Sequence, residues 1–254
     1  MCSINGFNWH DDSLIKRMNA TTAHRGPDGT GVFVESGISL GHNRLAIIDL
    51  SPAGAQPMKS RDGRFVISFN GEIYNYLELK KELGEYSWKS ESDTEVILAG
   101  YEAWGEKAFG RLEGIFAFAL FDTRERKLLL VRDGAGVKPL YYHLSGAKLV
   151  FSSEIKALLE HTHIPRRINQ LALDLYLRVL YTPAPHTMFD GIRKLLPGSV
   201  LSFKDGSCSV SAFVGRKQEP LSQRSRKELA GELYNKTHES VKRQLMSDRP
   251  VGLY

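Results

Sequence analysis

The chain has 254 residues, 42% of them hydrophobic and 25% charged, with a net charge of +5 and only two cysteines, Cys2 and Cys208. This is an ordinary soluble globular composition for one large domain, or a domain plus part of a second, and it excludes a disulfide framework and a four-cysteine zinc site. No apolar run reaches the length of a membrane span and no basic-then-apolar leader opens the chain, so a reducing cytoplasm and no membrane partner are expected, with the mature chain starting at or next to Met1.

Residues 2–7 read as a first strand, and 12–22 as a helix with Leu14, Ile15 and Met18 on one face. Strand-like runs follow at "GVFVE", "ISLGHNRLAIIDL" and "RFVISFN", the last closed by a turn at Asn70-Gly71. Helical segments are expected at 75–84 and 93–104, the second opened by a capping box of Ser92 and Glu95. Four runs between 115 and 152, "GIFAFALFD", "RKLLLVRD", "KPLYYHL" and "AKLVFSS", have lengths and connections that suit antiparallel pairing. "SSEIKALLE" reads as a capped helix, Cys208 in "SCSVS" as a buried strand residue, and 213–225 as a polar linker before a helix over 225–246. Many strands with helices at intervals, and no strict βαβ alternation, point to an α+β fold of packed antiparallel sheets with helices outside.

The basic excess is not spread evenly. Residues 1–165 hold 19 basic against 21 acidic side chains, and residues 166–254 hold 15 against 8. The excess is interleaved with acids in "RSRKELAGELYNKTHESVKRQL", where Leu229, Leu233, Val241 and Leu245 mark an amphipathic helix. No contiguous basic stripe or nucleic-acid motif is present, so nucleic acid is not an expected partner. The eight histidines show no metal-ligand spacing, and no metal site is expected.

Cysteine directly behind the initiator methionine raises a question, because a free thiol at a chain end is a liability unless it is used; taken alone, Cys2 reads as an incidental small residue opening a strand. Four stretches bear on it: "AHRGPDGTG" at 23–31, "GHNRLAIIDL" at 41–50, "FNGEIYNY" at 69–76 and "ESDTEVILAGYEAW" at 91–104. Singly they read as a turn, a strand with a surface arginine, a hairpin end and a helix start. Together with Cys2, "LEGIFAFALFD", "KPLYYHL" and "FSSEIKALL", their order and spacing resemble the class II glutamine amidotransferases. The likeness is strongest to the glutaminase half of the glutamine-hydrolysing asparagine synthetase family, covers roughly residues 2–212, and turns on the "RGPD" form of the first motif.

That resemblance implies a four-layer αββα sandwich of the N-terminal-nucleophile type. It implies Cys2 as nucleophile, with the α-amino group freed by loss of Met1 as its base, since the reference pKa of about 7.7–8.0 lies near working pH. Asn70 and the N–H of Gly71 are implied as oxyanion donors, Arg44 as the partner of the glutamine carboxylate and Asp93 as the partner of its ammonium. Main-chain groups along Leu45, Ala46, Ile47 and Ile48, together with Glu72, complete the implied glutamine site.

No cofactor is implied for glutamine hydrolysis, and ATP with Mg²⁺ only for a synthetase domain that follows in the family. Ammonia would pass to that domain through a tunnel and amidate an activated carboxylate, with aspartate the implied acceptor; the resemblance also allows a homodimer. The implied layout is a glutaminase domain over 2–212, a linker over 213–224, and over 225–254 the start of a truncated synthetase domain, ending short of its ATP-binding loop. One departure is Gly134 in "RDGAGVKPLYY", where the family carries a second arginine; it bears on coupling between domains. Two alternatives stay open: another acceptor such as a sugar carboxylate in surface-polysaccharide synthesis, or a non-catalytic remnant that keeps the fold.

Overall fold

The computed structural model describes residues 1–215 and 224–252. In chain order the elements are β1 (Ser3–Phe7), α1 (Asp12–Thr21), β2 (Gly29–Glu35), β3 (Ile38–Arg44), β4 (Met58–Lys59), β5 (Phe65–Ile73), α2 (Tyr76–Glu82), α3 (Asp93–Trp104) and β6 (Gly114–Asp122). They continue with β7 (Lys127–Arg132), β8 (Tyr141–Ser145), β9 (Lys148–Ser152), α4 (Ile155–Leu158), α5 (Gln170–Val179), β10 (Ile192–Lys194), β11 (Ser199–Lys204), β12 (Ser207–Ala212) and α6 (Arg226–Gln244).

The strands form two six-stranded sheets, ordered β10-β8-β9-β1-β3-β2 and β12-β11-β7-β6-β5-β4, with every strand pair antiparallel. Three apolar cores separate four layers. Along β6, Ala117, Ala119 and Phe121 enter the core between the sheets, while Phe116, Phe118 and Leu120 enter the core under α3. The same alternation in β7 sends Leu128 and Leu130 inward and Leu129 and Val131 outward. Both faces of this sheet are covered, which is why these strands read as unbroken apolar runs. A third core packs Leu14, Ile15 and Met18 of α1, with Ala157 and Leu158 of α4, on Phe7 and Val150 of the other sheet. The αββα sandwich is therefore built as expected.

Several local expectations are corrected. Asn70-Gly71 is no turn: both lie inside β5, opposite Ala117 and Phe116 of β6. The helix read at 152–160 is a single turn, and its serines tie it to β1: Ser153 Oγ accepts the Ile4 N–H at 3.0 Å, and Ser152 Oγ donates to Asn5 Oδ1 at 2.7 Å while accepting the Glu154 N–H at 3.0 Å. Ser92 caps α3 through the Thr94 N–H, but Glu95 does not complete a box; its carboxylate accepts the N–H groups of Lys89 and Ser90. Cys208 is half-buried on edge strand β12. Helix α5 was not anticipated. Most of the linker read at 213–225 lies outside the described residues. The last helix does form, with a complete capping box between Ser225 and Glu228, and no residue along it is buried.

Candidate active site

Cys2 stands at the amino-terminal end of β1, a strand held on one side by β3 and on the other by β9. Behind it lies a buried polar lattice: Ser3 Oγ donates to Thr22 Oγ1, and Asn43 Nδ2 donates to Ser3 Oγ at 3.0 Å and to the Asn19 carbonyl at 2.8 Å. The "HRGPDG" motif supplies the clamp on the backbone. Arg25 Nε donates to the Cys2 carbonyl at 3.0 Å, and its Nη1 reaches Glu154 Oε1 at 3.1 Å. The thiol itself meets the Leu45 backbone, which donates its N–H to Sγ at 3.3 Å. Burial pushes the thiol pKa up, with that N–H pulling the other way.

Sγ opens into a cavity of about 270 Å³, below the roughly 300–1,000 Å³ of drug-sized pockets and suited to one amino acid. Every residue named from the sequence lines it: Cys2, Arg44, Leu45, Ala46, Ile47, Ile48, Asn70, Gly71, Glu72 and Asp93. Arg44 ends β3. Its Nη1 donates to the Ser51 carbonyl at 2.8 Å and its Nη2 to the carbonyl of Asp49. Gly54 makes room for the guanidinium, since a Cβ there would lie 2.2 Å from Nη2. The loop that orients Arg44 turns at Asp49, whose φ of 54° is left-handed. Its carboxylate holds that turn by accepting the Ser51 hydroxyl and the N–H groups of Ser51 at 3.0 Å and Glu91 at 2.9 Å; burial would raise its pKa, but these bonds, the hydroxyl's foremost, keep it low.

The far wall is the free edge of β5. Phe116, opposite Gly71, spends its N–H and carbonyl on Asp133, so Gly71 turns its own N–H away from β6. On that same edge, two residues either way, the Phe69 N–H donates to Gln56 Oε1 at 2.6 Å and the Ile73 N–H to Asp93 Oδ2 at 2.9 Å. The Gly71 N–H lies between them, facing the cavity. Only glycine fits there: a Cβ would stand 2.3 Å from the Ile115 carbonyl oxygen and 2.7 Å from Phe116 Cα. Beside it, Asn70 is 1% exposed and its Nδ2 is buried with no hydrogen-bond partner among the described residues. A native structure rarely leaves such a donor idle, and one on a residue that lines a cavity points to a ligand.

Two cations and two anions line the cavity, Arg44 and Lys138 against Glu72 and Asp93. Asp93 is buried at the first turn of α3. Desolvation dominates over the Ile73 N–H and pushes its carboxyl up to about 7, with Glu72 adding to the rise. Burial also raises Glu72 and lowers Lys138, each opposed by the other's charge. Lys138 was not named from the sequence, although it lies in "KPLYYHL". It is 7% exposed, and its Nζ lies 3.5 Å from the Met1 Sδ. The loop before it is rigid: Asp133 accepts the N–H groups of Ala135, Val137 and Lys138, each at 3.0 Å, while Arg132 donates to the carbonyls of Gly136, Lys138 and Leu195. Arg25, Asp49 and Gln56 were missed too: Arg25 lies in a motif read as a turn, and Asp49 in a run read as a strand, which the structure ends at Arg44. His42 donates across the sheets to the Phe69 carbonyl at 2.9 Å; burial lowers its pKa to about 4, so it is neutral.

A cysteine at the head of the first strand, between two stacked antiparallel sheets and beside a charged cavity for an amino acid, defines an amidotransferase architecture. A solved chain of the Bacillus subtilis glutamine phosphoribosylpyrophosphate amidotransferase, complexed with ADP and GMP, shares the fold: TM-score 0.63 at 20% identity, over 85% of this chain and 50% of that one. The glutamine amidotransferase domain family matches residues 1–214, and the chain belongs to that family. Among curated relatives, asparagine synthetase [glutamine-hydrolyzing] 1 of Bacillus subtilis is 36% identical over 265 residues, taking in 100% of this chain and 42% of that protein. A putative asparagine synthetase [glutamine-hydrolyzing] 2 of Methanocaldococcus jannaschii is 34% identical, over 100% of this chain and 54% of that protein. The chain thus spans about half the length of these relatives or less. Among its described residues no helix is long and apolar enough to cross a membrane.

Proposed function

We propose that the chain hydrolyses L-glutamine to glutamate and ammonia at Cys2, as the glutaminase part of an asparagine synthetase-type enzyme. The observation that carries this reading is the partnerless Nδ2 of Asn70 beside the cavity-facing Gly71 N–H, on the wall of the pocket that Cys2 lines. Loss of Met1 frees the Cys2 amine, which takes the thiol proton as Sγ attacks the side-chain amide carbon. Asn70 and Gly71 hold the oxyanion. The C–N bond breaks, the amine returns the proton to the departing ammonia, and a thioester remains; water, deprotonated by the same amine, releases glutamate. Arg44 takes the α-carboxylate and Asp93 the α-ammonium, with Leu45, Ala46, Ile47, Ile48 and Glu72 lining the path between.

In this reading ammonia passes on to a synthetase domain that begins within residues 225–254, which uses ATP and Mg²⁺ to amidate aspartate; hydrolysis itself needs no cofactor. The likeness to relatives named as glutamine-hydrolysing asparagine synthetases supports it. One assay tests it: supply glutamine, aspartate and ATP, and measure glutamate, asparagine and AMP separately. Glutamate is expected at the same rate with and without ATP, and no asparagine or AMP from these 254 residues. No glutamate at all would favour the non-catalytic remnant.

The Asp93 assignment makes a pH prediction. With a carboxyl raised to about 7, glutamine affinity falls as pH drops through 7, because the neutral acid no longer pairs with an ammonium. Calorimetry on the Cys2→Ala protein measures this without turnover; Asp93→Asn is expected to bind weakly and without that pH dependence. Stability moves oppositely. The folded pKa lies above the ordinary 3.8, so the native state binds the proton more tightly and loses stability as pH rises from about 4 to about 7. Asp93→Asn keeps an acceptor for the Ile73 N–H and is expected to melt higher than wild type at pH 8 but not at pH 4. A pH-independent affinity in the Asp93 protein would remove the assignment.

A further inference from the structure

The glutamine pocket has a brace from outside the amidotransferase domain. Beyond α6 the chain returns to the loop that carries Leu45, Ala46, Ile47 and Ile48. Met246 packs on the apolar core that contains Ile48. The Asp248 N–H donates to the Ile47 carbonyl at 2.9 Å, and Asp248 Oδ2 accepts the Asp49 N–H at 2.7 Å. Arg249 Nε donates to the Ala46 carbonyl at 2.6 Å, and its Nη2 reaches Asp28 Oδ2 at 3.1 Å; that same oxygen accepts the Ala46 N–H at 2.9 Å. Four main-chain groups of one pocket loop are thus satisfied by, or through, a segment about 200 residues away, beyond the 1–214 family match.

Residues 45–57 include only one short helical turn, and their other ties, the bonds of Arg44, Ser51 and Glu91 with Asp49 and of Gln56 with Phe69, leave the Ala46 and Ile47 carbonyls and the Asp49 N–H to the strap. What it carries matters: the Leu45 N–H faces Cys2 Sγ, and the Asp49 carbonyl holds Arg44 Nη2. We propose that Asp248 and Arg249 are positioning residues for glutamine, acting through the backbone of residues 46–49 on the aim of Arg44; this rests on the function proposed above. The half-exposed ion pair of Arg249 with Asp28 adds little by itself. The bonds to the loop backbone carry the effect. Because α6 has no buried residue, the strap and the contact of Arg243 with Glu113 are what tie its carboxyl end to the body. A load on α6 that withdraws the strap frees the Asp49 N–H and the Ile47 and Ala46 carbonyls together and lowers glutamine affinity. The downstream segment thereby gains a handle on the glutaminase.

The test uses Asp248→Ala, Asp248→Asn and Arg249→Met in the full 254-residue chain. Asp248→Ala and Arg249→Met are expected to raise KM for glutamine about fivefold to tenfold, as loss of one or two net hydrogen bonds does, with kcat within about twofold. Asp248→Asn keeps an acceptor for the Asp49 N–H and is expected to rescue KM. Amide exchange followed by NMR gives a readout independent of activity: protection of the Asp49 amide is lost in Asp248→Ala and kept in Asp248→Asn. Wild-type KM in both Asp248→Ala and Arg249→Met overturns the brace, and so does an Asp248→Asn protein as impaired as Asp248→Ala. A wild type that neither binds nor hydrolyses glutamine sinks the function above and, with it, the brace as a determinant of glutamine affinity; an active wild type with unaffected variants sinks the brace alone.

Discussion

Serine in place of Cys2 is expected to lower glutamine turnover by several orders of magnitude while glutamine still binds. A hydroxyl is far less ionised than a thiol at neutral pH, and the net effect of the Cys2 site is to oppose ionisation of its own nucleophile. Burial pushes the thiol pKa up, and the Leu45 N–H at 3.3 Å is its main offset. The resting species is therefore the thiol, and a base must take its proton. Among the described residues His42 is buried, spent on the Phe69 carbonyl and not part of the cavity wall. Glu72 and Asp93 are the carboxylates of the wall, and both are assigned to substrate. The α-amine of residue 2 is the base that remains, and it exists only without Met1, since an acylated nitrogen has no basicity. At this end of the chain burial, with the charges of Arg25 and Lys138 adding to it, lowers the pKa of the Met1 amine. Intact-mass measurement on active protein is expected to show one methionine lost. Full activity with Met1 retained would end the N-terminal-amine mechanism.

How far the sequence carried can be judged residue by residue. The ten pocket residues were legible only through the family resemblance of the motifs that hold them; the structure adds why two positions are fixed, since Gly71 must be glycine for the strands to close and Gly54 makes room for Arg44. Packed antiparallel sheets were legible from many strands without βαβ alternation, and the count of four layers came from the resemblance; the unbroken apolar runs of β6 and β7 are explained by cores on both their faces. What failed was local reading where tertiary contacts outbid short-range ones. "FNG" has the composition of a hairpin turn, yet β5 runs straight through it because nine residues of β6 pair along it. Ser152 and Ser153 look like a helix cap but tie a single turn to β1. Glu95 looks like half a capping box but binds the backbone of residues 89 and 90. Lys138 and Arg25 escaped because a lone cation in a loop has no periodicity; only the fold brings it to Cys2. The strap at 246–249 was illegible for the same reason, its partners lying about 200 residues away.

Alanine in place of Asn70 is expected to cut kcat by about 10²–10³, which is what one oxyanion donor is worth, with little change in KM. Stability distinguishes this from general damage. Most buried polar side chains are missed when removed because they leave a partner unsatisfied. Asn70 Nδ2 has no partner to leave, and the residue lines the cavity, so the volume freed by truncation is expected to join the pocket. The Asn70→Ala protein is therefore expected to melt no lower than wild type while nearly losing its rate. Gly71→Ala gives the contrasting pattern. Its Cβ would stand 2.3 Å from the Ile115 carbonyl oxygen, so the β5–β6 pairing must open, and rate and melting temperature fall together. If Asn70→Ala instead raises KM and leaves kcat intact, Asn70 is a substrate clamp, and the oxyanion would rest on the Gly71 N–H alone.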